Sequence, residues 1–152
     1  MICNYYISII FKFCVGANFK FKLDENNAFR DLLFYNQTMQ DSFISYSEIL
    51  LTDGTYGTLN LGYVLIFFSV IDSNGKTEIV SVGILNQETE ENFEWLIDKL
   101  IESNPTASKK IKCVMTDKDM VSRKVLKNKL DIETYLCSYH VLCIFKNILE
   151  VR

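Results

Sequence analysis

The run from Glu88 to Ser103 constrains this chain most. Phe93, Leu96, Ile97, Leu100 and Ile101 recur at i, i+3, i+4, i+7 and i+8, the spacing of one helix face. Asn86 or Thr89 can cap this helix, acids crowd its first turn where the dipole favours them, and Asn104-Pro105 ends it. β-rich runs lie on both sides. Before it come Ile44–Thr52, Tyr63–Ile71 and Thr77–Leu85, the last two separated by the tight-turn pair Asn74-Gly75. After it come Ile111–Met115 and, beyond a polar helical segment, Thr134–Leu136. A long helical crossover normally returns the chain to the same sheet as a parallel strand, with right-handed connection. The predicted fold is therefore α/β. Its mixed five-stranded sheet has a three-stranded antiparallel meander, then two strands added in parallel beside the first, with flanking helices.

A chain of 152 residues can bury one real core, and an apolar content of 49% argues against disorder. One proline and six glycines leave no linker. The expected division is an N-terminal extension over 1–43, made of strands and short helices, and a core over 44–152. Within the extension, Tyr5–Phe13 and Phe19–Leu23 read as strands turned around Gly16-Ala17-Asn18, Ala28–Tyr35 as a short helix, and Gln37–Phe43 as a polar, partly helical piece. Val15-Gly16-Ala17 imitates a signal cleavage site, but no basic segment opens the chain and Lys12 interrupts the apolar run. No stretch reaches the ~20 apolar residues of a membrane span, so no membrane partner is expected. Five cysteines without framework spacing fit a reduced intracellular protein. A net charge of −3 excludes a protein held on nucleic acid by charge alone, though not a metal-dependent nuclease core, whose site needs acids.

In the predicted topology Ile44–Thr52 and Ile111–Met115 are neighbours, and both run into acids. Their ends bring Asp53 and Asp117 side by side. Asp53-Gly54 also reads as a hairpin turn, but Thr55–Leu61 is too long an insert for that. Two close carboxylates raise each other's pKa unless a cation sits between them. Mg²⁺ or Mn²⁺ suits such oxygen ligands, and two such ions about 4 Å apart can activate a water and stabilise the leaving oxygen of a phosphodiester. Such a site takes at least a third acid. Asp119 is the near alternative to Asp117, but it is placed to begin or cap the following helix.

The second strand after the crossover ends at Cys137-Ser138-Tyr139-His140. A structural zinc site needs four ligands, and neither Cys113 nor Cys143 completes a second pair at finger spacing, so zinc is not expected. Cys137 either packs at the strand end, with His140 hydrogen-bonding at the active edge, or the pair lies directly beside substrate. A thiol nucleophile lacks a third, orienting group. The final helix, Tyr139–Glu150, sets Val141, Phe145, Ile148 and Leu149 on one face to cover the sheet. Lys118, Arg123, Lys124 and Lys127, with Lys109, Lys110, Lys112 and Lys129, form the basic cluster; it is either a solvated helix face or a set of phosphate contacts. Trp95 falls off the apolar helix stripe, as a cover for a strand edge or a contact for a protein partner.

Asp53-Gly54-Thr55-Tyr56, Glu88-Thr89 with Phe93 and Trp95, Thr116-Asp117, and Cys137-x-x-His140 occur in one order. Together they resemble the RNase H-like domain of Mutator-like (MULE) transposases. With Asn26–Phe34, Met39–Phe43 and Glu48–Tyr56, they are most similar to the domesticated SWIM-type zinc-finger proteins, over roughly residues 19 to 150. The resemblance implies a DDE site in which Asp53 is the first acid and Asp117 the second, with Mg²⁺ or Mn²⁺ as cofactor, DNA as partner and a nuclear location, the cytoplasm being the alternative. It places the third acid, a Glu, beyond a helical insertion after the Cys-x-x-His helix. Glu150 precedes that place, so the role is not carried onto it. The expectation is a catalytic-core fragment, truncated before its third acid and inactive alone, from a protein that cuts and joins DNA strands. The alternative is a non-catalytic interaction module on the same fold.

Overall fold

The computed structural model describes residues 16–55, 62–117 and 119–138. Seven strands form one sheet in the order β1-β2-β5-β4-β3-β6-β7. They are β1 Ala17–Leu23, β2 Phe29–Asn36, β3 Ile49–Thr55, β4 Val64–Ile71, β5 Thr77–Leu85, β6 Cys113–Thr116 and β7 Glu133–Leu136. The helices are α1 Gln37–Tyr46, α2 Glu90–Ser103, the single turn α3 Pro105–Ser108, and α4 Met120–Leu130. Strands β3, β4 and β5 make the expected antiparallel meander, and β6 and β7 add in parallel beside β3. That is the strand order of an RNase H-like core.

Two strands exceed the expected five, and one replaces a predicted helix. Phe29–Asn36 is extended, pairing with β1 on one side and β5 on the other. Its apolar residues cluster at a spacing that mimics a helix stripe because both its faces are covered: Leu32 and Leu33, successive residues on opposite faces, are each almost fully buried. The strand predicted over Ile44–Thr52 starts later. Residues 44–46 belong to α1, which Asn36 caps by accepting the Met39 N–H at 2.9 Å. Met39, Phe43 and Tyr46 then fall on one face of α1, against the core. Asp53 and Gly54 lie inside β3, opposite Phe67 and Ile66, and form no turn. The predicted strand Tyr5–Phe13 and helix Tyr139–Glu150 fall outside the described residues.

Other elements follow their local chemistry as read. Asp72 builds the β4–β5 turn, its carboxylate accepting the N–H groups of Asn74 and Lys76, with Gly75 at φ 77°. Thr89 caps α2 by accepting from Asn92 N–H, and Asn104 closes it. Asp119 caps α4 by accepting from Ser122 N–H at 2.6 Å, and its last turn ends on Asp131 in the left-handed region.

One sheet face carries Leu33, Gly83, Ile66 and Phe68 against α1 and α2. The two helices meet over it, Gln40 Nε2 donating to the Ser103 carbonyl at 2.9 Å. An extra residue in β5 at Val80 lets Val80 and Ser81 both turn into this core, each fully buried. Gly83 lies under α2 so closely that a Cβ there would sit 2.6 Å from Leu96 Cδ2 and 2.8 Å from Cδ1. Leu96 is itself fully buried and has nowhere to retreat. Gly83→Ala is therefore expected to destabilise the protein by about 1–3 kcal/mol. Thermal unfolding checks this, and Leu96→Val in the same chain should recover part of the loss.

A buried carboxylate ties β2 to the start of α2. Asp31 is 0% exposed; its Oδ1 accepts the Asn86 N–H at 2.9 Å, while Oδ2 is buried without a hydrogen-bond partner among the described residues, 3.9 Å from Arg30 Nε. Burial lifts its pKa above the ordinary Asp value; the Asn86 N–H, Lys22 and Arg30 oppose that lift, and Glu91 adds to it. Because the folded value exceeds the unfolded one, ionisation costs stability as pH rises through that raised value. Asp31→Asn keeps an oxygen for Asn86 and cannot ionise. Its urea midpoint relative to wild type should rise as pH climbs above the ordinary Asp range; a pH-independent difference would refute the assignment.

Candidate functional site

The pairing that positions the candidate acids is β3 on β6. Its register sets Ile49 opposite Cys113, Leu50 opposite Val114 and Leu51 opposite Met115. The paired register stops at Leu51 with Met115, and β6 ends at Thr116. Carried two residues further, the same register would set Asp53, inside β3, level with Asp117, just past β6, on the face of Leu51 and Met115. The next pairing extends the row. Thr116 sits opposite Leu136, and Cys137 N–H donates to the Thr116 carbonyl at 2.8 Å, which carries Cys137 level with Asp117.

The row runs the other way across the whole sheet. Asp53 pairs with Phe67, Phe67 with Val82, Val82 with Phe34 and Phe34 with Phe19. It occupies the face opposite α1 and α2. Asp53 is exposed and Asp117 half-buried. Asp117 Oδ1 accepts the Asp119 N–H at 3.0 Å and lies 3.4 Å from Thr116 Oγ1; its Oδ2 has no such partner among the described residues. Asp119 itself is spent on the α4 cap. Among the described residues no group of three or more His, Cys, Asp or Glu side chains is arranged to hold a metal. The donor set at hand is two hard carboxylates, which fits one edge of a Mg²⁺ or Mn²⁺ shell and leaves the remainder to other oxygens.

The remaining candidates scatter. His140, Cys143 and the Lys118 side chain lie outside the described residues. Lys124 pairs with Glu90 at 2.6 Å and Lys127 with Glu133 at 3.2 Å, while Lys129 reaches Asp98 at 2.9 Å. Arg123 is half-buried, its Nε without a hydrogen-bond partner among the described residues. Lys110 donates to the Ile44 carbonyl and Lys112 pairs with Glu48. Trp95 is partly buried against the core. Sequence reasoning passed over Tyr135, which stands opposite Met115 beside the acid row. Its spacing of two from Cys137 within a strand was the available signal.

No helix among the described residues is long and apolar enough to cross a membrane. No curated protein matches the chain at a significant level. A family model does match, over residues 10–134, and is described as zinc finger SWIM domain-containing protein 1/3, RNaseH-like domain. It spans strands β1 to β6, α1 to α4 and the start of β7. The chain therefore belongs to the RNase H-like domain family of the zinc finger SWIM domain-containing proteins 1 and 3.

Proposed function

We propose that this domain is a DDE-type core related to Mutator-like transposases, in which Asp53 and Asp117 hold Mg²⁺ or Mn²⁺ against the phosphodiester of a DNA strand. The observation that supports the reading is the parallel β3–β6 pairing, whose register, carried on by two residues, would bring Asp53 and Asp117 level. In the reaction a water or a terminal hydroxyl attacks phosphorus, and the bond to the ester oxygen breaks. The bound cation would activate the attacking oxygen and stabilise the leaving one. The chain's own part is positional. Asp119 N–H fixes one oxygen of Asp117, while β3, paired with β4 at Asp53 and Phe67, holds Asp53. A third carboxylate is required, and the resemblance puts it beyond the Cys137–His140 segment. DNA as substrate implies a nuclear location.

A second reading is a non-catalytic interaction module. It is favoured by α4, whose Lys124, Lys127 and Lys129 pair with Glu90, Glu133 and Asp98, so that a phosphate would have to compete with carboxylates for them. Thermal unfolding with Mn²⁺ separates the two. A cation bound at a hundred times its dissociation constant stabilises the folded state by about 2.7 kcal/mol. The expected result is a rise in melting temperature that disappears in the Asp53→Asn, Asp117→Asn double variant. A wild-type protein indifferent to Mn²⁺ would remove the metal site and leave the interaction module.

A further inference from the structure

We propose that Tyr135 is a base-stacking residue. Its ring would take the face of an unpaired nucleobase in the strand whose phosphate lies at Asp53 and Asp117, so the inference rests on the DNA reading above. Tyr135 is paired with Met115, and Met115 with Leu51. These three form the row next to the acid row, on the same face, about 7 Å away along the strands. One nucleotide can reach across that separation from phosphate to base.

Burial in this row is graded. Leu51 and Met115 are half-buried and make an apolar floor, whereas Tyr135 is 55% exposed. That is unusual for an aromatic ring beside a core strand. Among the described residues β7 is the edge strand of the sheet on this side, and no further strand flanks Tyr135. The row beyond it ends in Glu133, paired with Cys113 on the backbone and with Lys127 through its side chain. The nearest carboxylate on that side therefore has its charge balanced and does not oppose a phosphodiester chain as an isolated anion would. An exposed ring on an apolar floor, one nucleotide's reach from an acid pair, is the arrangement used to stack single-stranded bases without reading their identity.

The inference is specific about substrate form. A stacked base must leave its duplex, so the site should prefer single-stranded or splayed DNA and show little sequence preference. The probe is a single-stranded oligodeoxynucleotide carrying 2-aminopurine, titrated with the full chain in Mn²⁺. Wild type should quench the fluorescence. Tyr135→Ala should lose the quench and bind roughly five- to a hundredfold more weakly, and Tyr135→Phe should retain both. An unchanged melting temperature in Tyr135→Ala shows that folding is not the cause. If Tyr135→Ala binds and quenches like wild type, the stacking role falls while the acid-pair reading stands. If the oligonucleotide does not bind at all, both fall together.

Discussion

The structure depends on three residue pairs, the parallel ladder of β3 on β6. Parallel pairing cannot be made by a turn and requires a crossover, which α2 and α3 supply here. The ladder begins where the Glu48 carbonyl accepts from Lys112 N–H at 2.9 Å, just before both strands. From that start the register is fixed, and a slip by one residue would turn Asp53 toward α1 and α2 while leaving Asp117 on the opposite face. Buried Leu50 and Val114 oppose that slip, because each would have to exchange a fully buried place for the other face of the sheet. The hydrophobic core thus does more than stabilise; it sets the alignment of the acids.

The close approach of α2 to β5 supports the same alignment. Gly83 lets Leu96 descend onto the sheet, and Phe93, Leu96, Ile97 and Leu100 are all buried along that face. Ion pairs then join α2 to α4: Glu90 with Lys124 and Asp98 with Lys129. Exposed pairs of this kind contribute only about 0–1 kcal/mol each, so they orient α4 more than they hold it. They also occupy the cations that sequence alone offers to phosphate. A phosphate backbone approaching α4 would have to compete with carboxylates already in contact.

The meander, the crossover and the two parallel strands were legible because their signals are local and agree: Asn74-Gly75 for the turn, the 3.6 period of Phe93 to Ile101, and short apolar runs on either side. The neighbouring positions of β3 and β6, which carry Asp53 and lead to Asp117, followed from topology. What was not legible is β2. A strand buried on both faces has no alternation to read, and Phe29, Leu32 and Leu33 then look helical. Its partners, β1 and β5, are separated from it in different directions along the chain, so only tertiary pairing identifies it. Asp31 is hidden for the same reason: it falls in the predicted short helix Ala28–Tyr35 but is fully buried within β2. The basic cluster was legible as composition but not as pairing, since Lys124 and Glu90 are 34 residues apart.

An open sheet offers one residue per strand to any row across its face, and this limits what the acid row can do. On either side of the level pair stand Phe67 and Cys137. Phe67 offers no donor atom, and a thiol is a soft ligand poorly matched to Mg²⁺. Asp119, the nearest other carboxylate, is held in the α4 cap, and releasing it would cost the helix its first-turn hydrogen bond. The rows above and below are Leu51 with Met115 and Thr55 with Leu65 of β4. Thr55 adds a hydroxyl oxygen on the same face, but among the described residues these rows of the sheet hold no third carboxylate. On the proposed reading the sheet supplies two acids, Asp53 from β3 and Asp117 from just past β6, and a third would come from outside these rows.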